Sequence, residues 1–296
     1  MNFGQKQANV SSSPLRWYGA KSKYWPRIRP YLPPHTTWVD VFGGSGVCTL
    51  ARPRSEVEIY NEINPLAANF WRIVKSNPLQ LQSRLRQIVP TTEAFYATVN
   101  TEYDDPIESA AMFYVRQRLS YNGETFRTVN PCCGIVNGEH KRQKIAAYHS
   151  KIEKIPLYSQ RMRDVVISNQ CFSSLLTKYD SPTTLHYNDP PYNKDMRSSG
   201  TSAYDPELTD EQHEQMLKML LQLKGYVVLS GYDFNFKYNI PNTLYRDYLS
   251  SWYSVHIPLI SAAAQWTQNK GIKYREECIW INPQGWDALQ RKVVVC

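Results

Sequence analysis

Long apolar runs are missing from this 296-residue chain. No stretch approaches the ~20 residues needed to span a bilayer, so no transmembrane helix is expected. The N-terminal stretch MNFGQKQANVSSSP lacks the apolar segment of a signal peptide. The expectation is a cytoplasmic monomer with no membrane partner. Paired cysteine spacing is missing too. Of Cys48, Cys132, Cys133, Cys171, Cys278 and Cys296, no two form a C-x-x-C pair. His140 and His149 follow Cys132 and Cys133 at no zinc-binding interval, so free thiols and no metal are expected. The chain also has no G-x-G-x-x-G fingerprint and no P-loop, which argues against NAD and ATP as ligands.

What is present supports a sizeable core. Hydrophobic residues make up 42% and charged residues 20%, enough for one large domain or a core domain carrying a smaller one. The formal net charge of +8 fits a polyanionic partner, because cationic surface releases counterions from nucleic acid. The 21 Tyr and 8 Trp add flat faces on which bases can stack.

The chain divides by pattern. Residues 1–13 are polar and Ser-rich, as in a loose tail. The run Trp38 to Phe42 predicts a buried strand entering the turn Gly43-Gly44-Ser45-Gly46, and Val57 to Tyr60 predicts a second strand. A helix is predicted from about Leu66 to Lys75. Residues 78–163 carry little strand pattern and predict helices around 78–88, 107–119 and 140–154, with a Gly/Asn/Cys-rich loop from Tyr121 to Gly138. Basic clusters punctuate this stretch at Arg84/Arg86, Arg116/Arg118, Lys141/Arg142/Lys144 and Arg161/Arg163, each of which is also what a solvated helix face would show. Strand and helix then alternate again: Val165 to Ile167, Phe172 to Tyr179, and Thr184 to Tyr187. Thr209 and Gln212 form a capping-box signature for a helix to about Leu223. A strand at 226–230 and late strands at 252–258 and 277–281 complete an α/β sheet with an antiparallel edge. The domains expected are a catalytic unit of 14–77 plus 164–296 and a helical insertion of 78–163.

The sharpest chemical signature is Asp189-Pro190-Pro191-Tyr192 directly after a strand. The lone pair of a base amine is delocalised into the ring, which makes the nitrogen a poor nucleophile. Acceptors on its two protons draw it towards tetrahedral geometry and release that pair. The Asp189 carboxylate and the Pro190 carbonyl can supply both acceptors, and the prolines stiffen the turn that aims them. Tyr192 offers a flat face for a base flipped out of its stack. The same string could be a proline-rich turn with a capping Asp and a core Tyr.

A second signature is Asp40-Val41-Phe42-Gly43-Gly44-Ser45-Gly46, where Gly44 and Gly46 let backbone approach a ligand closely. Glu62, at the end of the second strand, can bind the two hydroxyls of a ribose. A third is Leu15 to Lys21, in which Trp17 can wall a pocket and Lys21 can pair with a carboxylate.

The three strings in this order resemble the Dam-type family of DNA adenine-N6 methyltransferases. The matches are Leu15/Trp17/Gly19/Lys21, Asp40/Phe42/Gly44/Gly46, Glu62 and Asp189 to Tyr192, with later echoes at Leu229 to Tyr232 and Glu277 to Pro283. The resemblance covers about 15–75 and 165–283. It implies an α/β class I fold dependent on S-adenosylmethionine (SAM). That fold has a Rossmann-like, mostly parallel sheet and a helical target-recognition insertion. It also implies direct methyl transfer to the N6 amine of an adenine flipped out of double-stranded DNA. Asp189, Pro190, Pro191 and Tyr192 are then the candidate catalytic residues. The candidate SAM-binding residues are Trp17, Tyr18, Lys21, Asp40, Phe42, Gly44, Gly46, Glu62, Ile63, Phe172 and Asp189. Arg116, Arg118, Tyr121, Asn122, Arg127, Lys141 and Arg142 are the candidate DNA-binding residues.

The chain departs from the family in three places. Cys171-Phe172 stands where the family usually has Asp-Phe, which removes an acceptor for the cofactor's adenine amine. Glu62 replaces the commoner Asp. Ser120-Tyr121-Asn122-Gly123 is similar to a family segment, but the F-N-V-P string of GATC-reading members does not follow, so that specificity is not carried over. Cytosine-N4 enzymes more often carry Ser, and protein-glutamine enzymes Asn, where this chain has Asp189, which favours adenine. An RNA adenine substrate and a non-catalytic DNA-binding protein on the same fold stay open.

Overall fold

The computed structural model describes residues 10–99, 101–120, 139–196, 207–235, 240–260 and 274–294. Apolar and β-branched runs bounded by turns form the strands. These are β1 (Thr37–Asp40), β2 (Val57–Asn61), β3 (Val166–Ser168), β4 (Thr184–Asn188), β5 (Tyr226–Gly231), the short β6 (Phe234–Asn235) and β7 (Ile240–Pro241), β8 (Tyr253–Ile260) and β9 (Tyr274–Ile281). Seven of them make one sheet in the order β3-β2-β1-β4-β5-β9-β8. The first five are parallel, and β9 pairs antiparallel with both β5 and β8. The mostly parallel sheet with an antiparallel edge is the architecture expected of the chain.

Strand order reverses at β1, which lies between β2 and β4. In sheets of this kind the crevice outside the carboxyl ends of the strands at such a reversal is where ligands bind. The Asp40 turn and the Asp189 turn both leave the sheet there.

The helices are α1 (Trp25–Ile28), α2 (Val47–Leu50), α3 (Pro65–Ser76), α4 (Pro78–Gln87), α5 (Thr92–Tyr96), α6 (Pro106–Leu119), α7 (Glu139–Glu153), α8 (Ile155–Met162), α9 (Phe172–Lys178), α10 (Asp210–Leu220), α11 (Thr243–Tyr248) and α12 (Pro283–Val294). Local chemistry starts several of them. Asn64 caps α3, accepting from the Leu66 N–H (2.9 Å) and the Ala67 N–H (3.2 Å), with Pro65 in the first turn. Thr209 and Gln212 close a reciprocal capping box on α10, as their spacing predicts. Asn282 precedes α12 and does more. Its side chain accepts from Val227 N–H (3.0 Å) and donates to the Gly225 carbonyl (2.9 Å), tying the end of β9 to the start of β5.

Alternation along the strands buries both faces of the sheet. Val39, Val227 and Leu229 pack with α9 and α10 on one side, while Trp38, Val228 and Ile279 pack with Trp25 and Val47 on the other. The helical stretch from 78 to 163 does not form a separate core. Its buried Leu81, Phe113, Tyr114, Tyr148 and Tyr158 join Tyr60, Phe70 and Trp71 of the sheet unit in one cluster.

Of the expected loose tail, residues 1–9 lie outside the described residues. Val10 is buried in the same cluster and the Ser13 hydroxyl donates to the Ser45 carbonyl (2.5 Å), while Ser11 between them is exposed. The physical reason is that an apolar contact and a buried hydrogen bond hold a polar-looking segment, and composition does not show either.

A buried ion cluster pins the helical stretch to the sheet. Glu58 on β2 accepts from Arg161 of α8 (2.6 and 2.9 Å) and from Arg52, and Arg161 also donates to the Thr49 carbonyl (2.5 Å). Both partners of the Arg161–Glu58 pair are 4% exposed. Removing Arg161 leaves Glu58 with Arg52 and takes away three buried charge-assisted hydrogen bonds, two to Glu58 and one to the Thr49 carbonyl. Arg161→Ala should therefore lower the free energy of unfolding by about 3 kcal/mol. Urea denaturation checks this, and an unchanged midpoint would show the pair to be neutral.

Candidate active site

Burying polar backbone requires partners, and the turn after β1 finds them in its neighbours. Gly43 N–H donates to the Asn61 carbonyl (2.7 Å), and the Tyr60 hydroxyl donates to the Gly44 carbonyl (2.7 Å). Glu62 supports the turn from β2's end. Its Oε2 accepts from Gly44 N–H (2.8 Å) and its Oε1 from Asn64 N–H (3.0 Å). Burial pushes its carboxyl up, and those N–H donors oppose the push. Asn61 joins β2 to the segment before α9, donating to the Val41 and Gln170 carbonyls and accepting from Gln170 N–H, all at 3.0 Å.

Gly44 and Gly46 have φ of +49° and +74°, where side chains are strained. Space is equally restrictive. A Cβ at Gly44 would meet the Trp17 indole nitrogen at 2.8 Å, and one at Gly46 would meet Trp71 at 2.8 Å. The indole of Trp17 therefore lies directly on the turn, and so does that of Trp71.

A narrow cleft joins the three sequence signatures. Its walls are Trp17, Tyr18, Gly19, Ala20 and Lys21, then Phe42, Gly43, Gly44, Ser45, Val47 and Cys48, and finally Asp189. Phe172 stands at one side, its ring 5.9 Å from that of Phe42. Beside it Cys171 is exposed, and the hydroxyls of Ser173 and Ser174 pull its thiol down to about 7. Ile63 is 43% exposed next to Glu62.

Asp189, Tyr192 and Lys21 meet at the cleft's end. Lys21 Nζ lies 2.6 Å from Asp189 Oδ1 and 3.4 Å from Glu277 Oε1. The Tyr192 hydroxyl donates to Asp189 Oδ1 (3.1 Å) and to Glu277. The Tyr192 ring, offered by the sequence as a stacking face, is only 6% exposed. Tyr232 meets it edge-to-face at 4.7 Å between centroids, and Lys21 Nζ lies 4.8 Å from its centre. Burial pushes the Asp189 carboxyl up, and the Lys21 ammonium pulls against it. Pro190 is buried and Pro191 half-buried in the same turn. Lys21, read from the sequence as a partner for a ligand carboxylate, is engaged here by protein carboxylates.

Other sequence candidates fall elsewhere. Asp40 does not line the cleft. It is 1% exposed, and its Oδ2 accepts from the Thr49 hydroxyl (2.7 Å), which in turn accepts from the Trp38 indole (3.0 Å). Arg116 and Arg118 are half-buried rather than on an open face. Arg116 donates to the Thr98 carbonyl (3.4 Å), and burial lowers the pKa of both. Arg84, Arg86 and Arg161 are paired with Glu108, Glu153 and Glu58. Tyr121, Asn122 and Arg127 lie outside the described residues, and Lys141 and Arg142 belong to α7 with no description of their side chains. Glu277 and Asn61 carried no assigned role in the sequence. Glu277 stands at the start of the buried run Cys278 to Ile281 on β9, and an acidic residue adjoining such a run is the signal that could have found it.

With this geometry in place, comparison with known proteins is informative. A family model described as "D12 class N6 adenine-specific DNA methyltransferase" matches residues 17–258, well over half of the chain. The chain is also similar to the modification methylase LlaI of Lactococcus lactis subsp. lactis, at 25% identity over 236 residues. That alignment takes in 75% of this chain and 36% of the relative, so the chain spans about a third of that protein's length. Among the described residues, no helix is long and apolar enough to cross a membrane.

Burial raises Asp40 from the ordinary 3.8 to about 7. The folded chain therefore keeps a proton there that the unfolded chain releases from about pH 4 upward. The stability this proton brings is full below the unfolded pKa and is lost as pH rises towards about 7. Asp40→Asn keeps an acceptor for Thr49 without the titration. Its unfolding free energy should fall less between about pH 4.5 and 7.5 than that of the wild type, by about 2 kcal/mol. Urea denaturation at both pH values checks this, and equal slopes would mean that Asp40 is ionised in the fold.

Proposed function

The chain belongs to the D12 class of N6 adenine-specific DNA methyltransferases, and on that premise we propose that it methylates the N6 amine of an adenine flipped out of double-stranded DNA, with SAM as donor. The observation that carries the proposal is the placement of Asp189. Its carboxylate is held by Lys21 at the end of the cleft that the glycine turn and the Trp17 segment share.

The residues around the cleft suit SAM in their chemistry. Trp17, Tyr18 and Phe42 offer aromatic surface, Phe172 adds to it, and Gly43, Gly44 and Ser45 bring the turn's backbone to the cleft wall. Glu62 is 7% exposed and stands behind the turn rather than among the cleft walls; its lone pairs beyond those taken by Gly44 and Asn64 are the ones that would suit ribose hydroxyls. When bound, SAM supplies an electrophilic methyl on a sulfonium centre.

The chain's own part is to make an aromatic amine nucleophilic. The amine donates hydrogen bonds from its two N–H groups to Asp189 and the Pro190 carbonyl, so the lone pair localises on nitrogen. Lys21 and the Tyr192 hydroxyl both bind Asp189 Oδ1, which leaves Oδ2 for the amine. Lys21, Tyr192 and Glu277 around Asp189 are buried, so these fixed groups act in a low-dielectric setting. Positioning supplies much of the remaining acceleration. A base that stacks on Tyr192 must come in beside Tyr232, which already meets that ring. The insertion, with Arg116 and Arg118 beside the Tyr121-Asn122 segment and Lys141 and Arg142 beyond it, is the proposed DNA-reading part.

Asp189→Ala should abolish methyl transfer while leaving DNA affinity within about threefold, because phosphate contacts supply most binding energy and lie elsewhere. Product digestion followed by mass spectrometry reads N6-methyladenine against N4-methylcytosine. Wild-type-like formation of N6-methyladenine by the variant would refute the assignment, and N4-methylcytosine from the wild type would overturn the choice of base.

A further inference from the structure

Glu277 lies beyond the stretch matched by the family model, and its burial is harder to explain than that of any apolar neighbour on β9. It is 1% exposed in a strand whose other buried side chains, Cys278, Ile279, Trp280 and Ile281, belong to the apolar clusters. A carboxylate taken out of water costs several kcal/mol unless partners compensate. Its partners are the same two groups that hold Asp189. Lys21 Nζ is 3.4 Å from Glu277 and 2.6 Å from Asp189, and the Tyr192 hydroxyl donates to both acids.

The topology explains how it gets there. Strand β9 runs antiparallel to β5, with Cys278 opposite Gly231. Its N-terminal part therefore reaches the carboxyl end of the parallel strands, where β4 delivers Asp189. A parallel strand in that place would bring the opposite end.

Counting protons makes the arrangement consequential. Two carboxylates face one ammonium and one phenolic hydrogen. A hydroxyl has a single proton to donate, so what one acid gains the other loses. We propose that Glu277 is a positioning residue for this site: by competing with Asp189 for Lys21 and for the Tyr192 hydroxyl, it sets how much of the accepting power of Asp189 is left for a substrate amine. This rests on the assignment of Asp189 as the amine's acceptor.

With Glu277 ionised, Tyr192 and part of Lys21 are drawn away, and Asp189 is the stronger acceptor. With Glu277 protonated, Lys21 and Tyr192 both serve Asp189, which is then a weaker one. The groups facing Glu277 are Lys21 from the segment before β1, Tyr187 on β4, Asp189 and Tyr192 after it, and Cys278 on its own strand, with Tyr232 after β5 one contact further out. Burial and the charge of Asp189 raise the Glu277 carboxyl to about 7, against the pull of Lys21. The exchange therefore falls near neutral pH.

The test is the pH dependence of kcat for single-turnover methyl transfer by the full chain. The wild type should show a rise through about pH 7. Glu277→Gln keeps the reach but carries no charge. Its profile should be flat between about pH 6 and 8, with kcat at pH 8 lower on the order of tenfold, as expected for weakening one charge-assisted hydrogen bond. A packing role alone would lower activity without removing the inflection. Glu277→Asp keeps the charge but retracts it by one methylene, so the inflection should persist while kcat falls. Should the Gln variant not fold, as judged by circular dichroism, the Asp variant decides. A wild-type profile and rate in either folded variant would overturn the role of Glu277. Absence of transfer by the wild type would overturn the assignment of Asp189 and this inference together.

Discussion

The ammonium of Lys21 meets Asp189 and Glu277 where the desolvation of both would otherwise be uncompensated. It is itself 4% exposed and Glu277 is 1% exposed, while Asp189 keeps 17% of its side chain open at the cleft. Asp40 and Glu62 lie close enough to feel one another's charge, with Asp189 also acting on Asp40. An excess of negative charge in a dry site raises carboxyl pKa values, and one cation cannot neutralise all of it. The site is stable because each acid has its own hydrogen-bond donors: Thr49 for Asp40, Gly44 and Asn64 for Glu62, and Tyr192 and Lys21 for the remaining pair. The three sequence signatures are thus electrostatically one object. Lys21 comes from the first, Asp40 with its glycine turn from the second, and Asp189 from the third.

Aromatic packing makes them mechanically one object as well. The indole of Trp17 rests on Gly44, and that of Trp71 rests on Gly46. Trp71 belongs to α3, which packs against α6 and α8 of the helical stretch. Arg161 of α8 reaches Glu58 on β2 and the Thr49 carbonyl, and the Thr49 hydroxyl binds Asp40. Contacts therefore run without interruption from the helices proposed to read DNA to the turn proposed to cradle SAM. Interiors are packed closely enough to pass a displacement along such a chain of contacts.

Much of this was legible in one dimension. Strands β1, β2, β4 and β5 announce themselves as short apolar runs ended by Gly, Asn or Pro, and α10 by its capping box. Those signals are local, so tertiary structure had little left to decide about them. Several elements went unread, and among them α8, α11 and α12 have weaker local signals. Gly285 sits in the first turn of α12, and α11 is six residues long. Tertiary hydrogen bonds through Asn282 and the packing of Tyr245 stabilise them instead. The basic clusters could not be resolved in one dimension either. Arg84, Arg86 and Arg161 fitted a solvated helix face as well as a phosphate contact, and in the fold they pair with carboxylates that are distant in sequence.

By itself the sequence determined strands β1, β2, β4 and β5, helix α10, the glycine turn after β1 and the Asp-Pro-Pro-Tyr turn after β4, because each depends on φ/ψ preferences and on neighbours a few residues away. It also determined, through the order of its motifs, the family to which the chain belongs. Only the tertiary structure decided that Lys21 faces Asp189, that Glu277 shares both of its partners, that Asp40 is sealed behind the cleft, and that Val10 and Ser13 are packed. The physical reason is range. A pairing between residues separated by 85 or 168 positions, as in Tyr192 with Glu277 and Lys21 with Asp189, is set by the register and direction of strands that bring their ends together. No local pattern encodes which acid arrives beside which base.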